Sequence, residues 1–185
     1  MRIISGQNKG KKISQPIDKL TRPLKDLTKE SIFNIIKHSN LINIDLKNAN
    51  ILDLFSGVGS FGLECISRGA SNVIFFENYI NVLKVLKKNI KDLKYDEKVE
   101  VIDVDIFNKD AFNLINNKFE IIFFDPPYKE KKLSILIEKI IKLNLLKENG
   151  IFIIHRHIKE KDLFPDSFKI LLEKKYGISK IIFGN

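Results

Sequence analysis

Two acceptor-rich clusters stand out among the residues able to do chemistry. The first is Asp125-Pro126-Pro127-Tyr128. Two consecutive prolines force a stiff, extended chain and remove two N–H donors. What remains is a patch of acceptors, the Asp125 carboxylate and the Pro126 carbonyl, beside the aromatic face of Tyr128. That set suits an exocyclic amino group on a flat base: the acceptors take its N–H bonds while the ring stacks on the base. An aniline-like nitrogen is a poor nucleophile, because its lone pair is conjugated with its ring. Holding it with the lone pair turned towards an electrophile supplies alignment, worth up to about 7–11 kcal/mol in well-oriented systems. Asp125 adds electrostatic support as positive charge grows on nitrogen, whether or not it takes the proton itself. Pro127 completes the catalytic set.

The second cluster is Asp53-Leu54-Phe55-Ser56-Gly57-Val58-Gly59-Ser60-Phe61-Gly62, which contains G-x-G-x-x-G. Between a strand and a helix, such glycines permit a tight turn and close approach of a ligand to the backbone. Glu77 lies 20 residues after Gly57, where a carboxylate can accept from ribose hydroxyls. So far a nicotinamide dinucleotide would fit equally well. Asp53 tilts the balance. A pyrophosphate needs bare N–H groups and a helix dipole, and a carboxylate before the loop repels it. The same carboxylate suits the cationic amino-acid end of S-adenosylmethionine. Asp105, following the third strand, is an acceptor for the adenine amino group. The expected cofactor-binding set is Asp53, Phe55, Gly57, Gly59, Glu77, Asn78, Asp105, Ile106 and Asp125.

These residues need strand ends to hold them, and the chain supplies alternating strand and helix signals. Ala49–Phe55, Asn72–Glu77, Val99–Val104, Phe119–Asp125 and Gly150–His155 are short apolar runs rich in β-prone residues. Ser60–Arg68, Tyr79–Leu93 and Lys131–Leu146 carry helical spacing between them. Alternation of this kind requires crossover connections and a parallel sheet covered on both faces. Phe168–Lys174 and Ser179–Phe183 are joined by a short turn at Tyr176-Gly177-Ile178, so they must pair antiparallel. The fold class is α/β: a doubly wound, mostly parallel, seven-stranded sheet with an antiparallel final strand. Residues 49–185 form this domain. Residues 1–48 form a small extension, with a hairpin from Arg2–Ile4 and Lys11–Ile13. A helix over Thr28–Ile36 follows, N-capped by Asp26 or Thr28.

The net charge is +9, and residues 1–37 hold nine basic residues against three acidic ones, or +6 of that total. A basic arm on a milder body suits a polyanion. The expected polyanion-facing residues are Arg2, Lys9, Lys11, Lys12, Arg22, Lys25, Lys29 and Arg156. A single cysteine, Cys65, excludes a disulfide framework and a multi-cysteine zinc site. Neither it nor the three histidines, His38, His155 and His157, makes a recognisable metal site. His155 and His157 share one side of a strand end and could reach a substrate or simply lie at the surface. No apolar run approaches the roughly 18–20 residues of a membrane span, and the start lacks a secretory apolar stretch. A cytoplasmic, monomeric protein is expected.

Asp-Pro-Pro-Tyr after the fourth strand resembles the signature of S-adenosylmethionine-dependent amino-group methyltransferases. Further segments resemble the bacterial 16S rRNA (guanine-N2-)-methyltransferase family of the RsmD type. They are Arg2-Ile3-Ile4-Ser5-Gly6 with Gly10-Lys11-Lys12, Thr21-Arg22-Pro23, Glu30-Ser31-Ile32-Phe33-Asn34-Ile35, Asp53–Gly62 with Leu63-Glu64, Ser67-Arg68-Gly69-Ala70, and Tyr176-Gly177. The family usually has arginines where this chain has Leu27 and Lys29, and a polar or acidic residue where it has His155-Arg156-His157. The resemblance implies methyl transfer from S-adenosylmethionine to N2 of one guanine in 16S rRNA, within the small ribosomal subunit. Two other readings stand beside it: an N6-adenine methyltransferase acting on DNA or RNA, and a catalytically silent RNA-binding module. A protein glutamine methyltransferase fits less well, since those tend to carry Asn at the position of Asp125.

Overall fold

The computed structural model describes residues 1–16, 24–113 and 115–185. Its strands are β1 (Asn50–Leu54), β2 (Asn72–Phe76), β3 (Val99–Ile102), β4 (Phe119–Phe124), β5 (Leu146–His157), β6 (Ile170–Tyr176) and β7 (Ser179–Gly184). They form one sheet in the order β3-β2-β1-β4-β5-β7-β6. The first five are parallel. β7 is inserted antiparallel between β5 and β6. The α/β architecture read from the alternation is the one observed.

Side chains alternate between the two faces, and both faces are covered. Ile51, Phe75, Phe123 and Ile153 pack into one core with α1 (Asp26–His38), α2 (Ser60–Ser67) and α3 (Ile80–Leu93). Their chain neighbours Leu52, Phe76, Phe124 and Ile154 pack into the other with α4 (Leu133–Lys142). Period-two alternation between two buried faces is why the strands read as unbroken apolar runs. Ile3, Ile13, Leu24, Ile32 and Phe33 of the N-terminal segment belong to the first core.

Some boundaries differ from expectation. Apolar spacing carries the fourth helix on to Leu146, but α4 stops at Lys142 and Asn144 turns the chain at φ 52°. Leu145 continues the spacing because it folds back into the α4 core after the helix has ended. β3 stops at Ile102, and Val104 is exposed at a cavity rim. The helix expected over Thr28–Ile36 begins at Asp26, with Lys25 at its N-cap and no side-chain cap. Neither proposed capping residue caps: Asp26 sits in the first turn and Thr28 is buried.

β1 leads to β2 on one side, while its other neighbour is β4. The strand order reverses between β1 and β4, so the loops leaving their carboxyl ends diverge and open a crevice. Both the glycine turn after β1 and the Asp-Pro-Pro-Tyr segment after β4 lie at that edge.

Candidate active site at the carboxyl edge of the sheet

The crevice is a cavity of about 670 Å³ lined by Asp53, Phe55, Gly57, Glu77, Asn78, Asp105, Ile106, Asp125, Pro126, Pro127 and Tyr128, among others. Leaving β1, the chain adopts left-handed backbone at Phe55 (φ 57°), Gly57 (φ 56°) and Gly59 (φ 80°). Gly57 and Gly59 accept that conformation at no steric cost, whereas Phe55 is strained by it. Gly62 serves packing instead, since a Cβ there would lie 2.4 Å from the Phe75 ring.

Asp53 is buried beneath this turn. Its Oδ2 accepts the Gly62 N–H at 2.9 Å, and its Oδ1 has no partner among the described residues. Burial pushes its carboxyl well above the ordinary range; the Gly62 bond opposes this, and the nearby Asp125 and Glu77 charges add to it. An unpartnered buried acceptor is costly, and a cationic donor in the cavity would relieve it.

Glu77 follows β2 and knits two elements together. Its Oε2 accepts from Gly57 N at 2.9 Å and its Oε1 from Tyr79 N at 2.8 Å. Burial raises this carboxyl too, against the pull of those backbone bonds. Tyr79, which opens the helical spacing that runs to Leu93, lines the cavity. Asp105 is exposed and its Oδ1 accepts from Phe107 N at 2.9 Å, a turn that sets Ile106 and Phe107 as a wall.

On the opposite wall, Asp125 Oδ1 lies 2.7 Å from His155 Nδ1. Pro126 is buried and Tyr128 half-buried. The Pro127 carbonyl accepts from Glu130 N at 2.9 Å and from an Arg156 guanidinium nitrogen at 3.2 Å. The Tyr128 ring meets the His157 ring edge-on at 5.1 Å. Phe61 and Phe123, both lining the cavity, stack at 4.0 Å. The site therefore joins a glycine turn with carboxylates to a rigid patch of acceptors with an aromatic ring.

The basic residues divide. Arg2, Lys9, Lys11, Lys12 and Lys25 are exposed, and Arg22 lies outside the described residues. The hairpin runs along α2, with Ile4 N and Ser5 N bonded to the Glu64 carboxylate and Gln7 N to the Ser67 carbonyl. Two expected RNA contacts are corrected. Lys29 is fully buried, its Nζ on the Arg2 carbonyl at 2.8 Å, on Ser60 Oγ at 3.3 Å and 3.6 Å from Glu64. Burial lowers its pKa, against the pull of Glu64 and Asp26. The spacing carries the warning, because Lys29 falls on the same helical stripe as Ile32, Phe33 and Ile36.

Arg156 is likewise buried, bonded to the Asp162 carboxylate at 3.0 and 3.1 Å and to the Glu130 carbonyl at 2.9 Å. Its signal in the sequence is its place two residues past the apolar run Ile151–Ile154, with Asp162 six residues further on. Pro16 and Leu24, which line the cavity from the N-terminal segment, have no such signal in the sequence.

The family model described as "Conserved hypothetical protein 95" matches residues 1–185. A Bacillus subtilis protein named "Putative rRNA methyltransferase YlbH" is 33% identical over 98% of this chain and 96% of its own length. The Haemophilus influenzae "Ribosomal RNA small subunit methyltransferase D" is 32% identical over 96% of this chain and 90% of its own. A solved structure of a "putative methylase" from Haemophilus influenzae superposes with a TM-score of 0.77 at 29% identity, covering 99% of this chain and 96% of that one. Over its whole length, this chain belongs to the Conserved hypothetical protein 95 family, the RsmD-like proteins.

Proposed function

We propose that the protein transfers the methyl group of S-adenosylmethionine to the exocyclic N2 of a guanine in small-subunit (16S) rRNA. The carrying observation is that one cavity joins the unpartnered Asp53 Oδ1, beneath a glycine turn, to Asp125-Pro126-Pro127-Tyr128. The residues fit the cofactor: Asp53 answers its ammonium group, Glu77 its ribose hydroxyls and Asp105 its adenine amine, with Phe55, Asn78 and Ile106 beside them. When bound, S-adenosylmethionine supplies a sulfonium methyl, an electrophile that needs no further activation. The chain does the rest. Asp125 and the Pro126 carbonyl accept the two N–H bonds of the target amine and turn its lone pair out of conjugation. Tyr128 stacks on the base, and Asp125 stabilises the positive charge that develops on nitrogen as the sulfonium–methyl bond breaks. The methylated nitrogen then sheds one proton to solvent, directly or by way of Asp125, which leaves a neutral methylamino group and a neutral thioether.

The rRNA substrate is supported by the names of the two relatives and by the exposed Arg2, Lys9, Lys11, Lys12 and Lys25. The target base must leave its stack to reach the acceptors, while the basic arm grips phosphates. On this reading the protein acts as a monomer in the cytoplasm.

Incubation with labelled S-adenosylmethionine and unmodified small subunits, then mass spectrometry of the digested rRNA, tests the proposal. N2-methylguanosine is the expected product. N6-methyladenosine would replace the substrate, and absence of any methyl product would leave a silent RNA-binding module.

A further inference from the structure

The end of β5 touches the Asp-Pro-Pro-Tyr segment through three consecutive residues. Phe123 pairs with Ile153 and Phe124 with Ile154. Continuing that register by one residue sets His155 beside Asp125. The strand is held on its other edge as well, with His155 opposite Ile181 of β7. His155 therefore sits in a two-sided strand, and its side chain is only 9% exposed. Asp125, in contrast, lies past the end of β4, with its N–H on the Leu54 carbonyl at 3.3 Å and a proline after it. Nothing in its own backbone fixes the rotation of its carboxylate.

The contact at 2.7 Å between His155 Nδ1 and Asp125 Oδ1 supplies that restraint. An ionised carboxylate has only acceptors, so the proton lies on Nδ1. Nε2 has no partner among the described residues. The next residue, Arg156, holds the backbone of the same segment at the Pro127 and Glu130 carbonyls and is itself anchored by Asp162. His157 then braces the Tyr128 ring. An acceptor that must turn an amine's lone pair gains only if its own oxygens are already in place, since a misplacement of about 1 Å can cost on the order of 100-fold in rate.

We propose that His155 is a positioning residue for the methyl acceptor: its Nδ1–H locks one oxygen of Asp125, so that the carboxylate meets the target amine in a fixed orientation. Arg156 and His157 do the same for the backbone and the ring that follow. The inference rests on the reading of the cavity as an amino-methyltransferase site.

The test compares His155→Leu with His155→Asn. Leucine removes the donor, whereas the asparagine amide can place an N–H near the position of Nδ1. Methylation of unmodified small subunits, S-adenosylmethionine binding by calorimetry and thermal melting are measured on each full-length variant. His155→Leu should lower kcat by roughly 100-fold with cofactor affinity and melting temperature unchanged, and His155→Asn should restore most of the rate. Equal rates in wild type and His155→Leu would overturn the role. So would a rate loss in both variants that tracks lost cofactor binding or stability, or one that asparagine fails to rescue. If wild type methylates nothing, the functional reading falls separately. The Nδ1 proton of His155, followed by NMR of histidine-labelled protein with and without Asp125→Ala, then still decides whether the lock exists: its resonance should shift when Asp125 is removed, and an unchanged resonance refutes it.

Discussion

Asp53→Asn isolates the atom on which cofactor recognition depends. The side chain keeps its volume, and its amide oxygen can still accept the Gly62 N–H that Oδ2 accepts at 2.9 Å in the native chain. An NH2 group then replaces Oδ1, the buried oxygen without a partner among the described residues. Two opposite effects follow. First, S-adenosylmethionine loses a charged acceptor for its ammonium and meets a donor instead. Hydrogen bonds to charged groups contribute about 1.5–3 kcal/mol, so affinity should fall roughly 10- to 150-fold at about 1.4 kcal/mol per decade.

Second, the ligand-free protein should become more stable at neutral pH. Burial, helped by Asp125 and Glu77, raises the Asp53 carboxyl well above its ordinary value. Between the ordinary range and the raised one, the folded chain holds a proton that the unfolded chain has lost. Stability therefore falls as pH rises through that interval, and the full penalty is present above it. Asparagine carries no such penalty. For the same reason, wild-type affinity for the cationic cofactor should weaken on acidification through the interval, while the variant's affinity should not follow that dependence. Calorimetric titrations across the acidic to neutral range, with melting curves in the presence and absence of S-adenosylmethionine, read both effects. Undiminished affinity in the variant, or a variant less stable than wild type without ligand, would refute the assignment of Asp53.

Asp125→Ala should abolish methyl transfer while largely sparing S-adenosylmethionine binding; turnover near the wild-type level, measured by label incorporation into small subunits, would contradict its role. Neutralising Lys9, Lys11 and Lys12 together should weaken rRNA binding and reduce the slope of log affinity against log salt, by roughly 0.7–0.9 for each phosphate that is no longer neutralised. An unaltered slope in filter-binding titrations would remove these lysines from the interface. Glu64→Gln breaks a buried cluster that holds Lys29, Arg68, Ile4 N and Ser5 N. It should lower stability by up to about 3–5 kcal/mol, visible in denaturant melts and in faster proteolysis of the N-terminal hairpin. Gly62→Ala pushes a methyl into the Phe75 ring and should cost about 1–3 kcal/mol, with thermal melting as the readout.

How much is legible in a sequence depends on how local the determinant is. Strand identity and the parallel topology follow from apolar runs and their alternation with helical spacing, because the central strands β1, β2 and β4 are buried on both faces along nearly their whole length. Glu77, Asp105 and Asp125 can be found because each stands at or beyond the end of such a run, and Asp53 because it interrupts one just before the glycine turn; strand ends in a doubly wound sheet converge on one crevice. The extents of α4 and β3 are not legible in the same way, because Leu145 and Val104 keep an apolar pattern past the point where the hydrogen bonding stops. Lys29 and Arg156 show the limit most plainly. Each is a basic residue in a basic protein, and charge alone points both towards RNA. Their burial is decided by partners elsewhere in the chain, Arg2 and Glu64 for one and Pro127, Glu130 and Asp162 for the other. The His155–Asp125 contact has the same origin, since 30 residues of sequence separate two side chains that strand register brings within 2.7 Å. Residue type determines which chemistry a position offers. Only the packing of one element against the next, helix α1 on the hairpin and α2 for Lys29 and strand register for His155, determines whether that chemistry is spent inside the fold or turned towards a substrate.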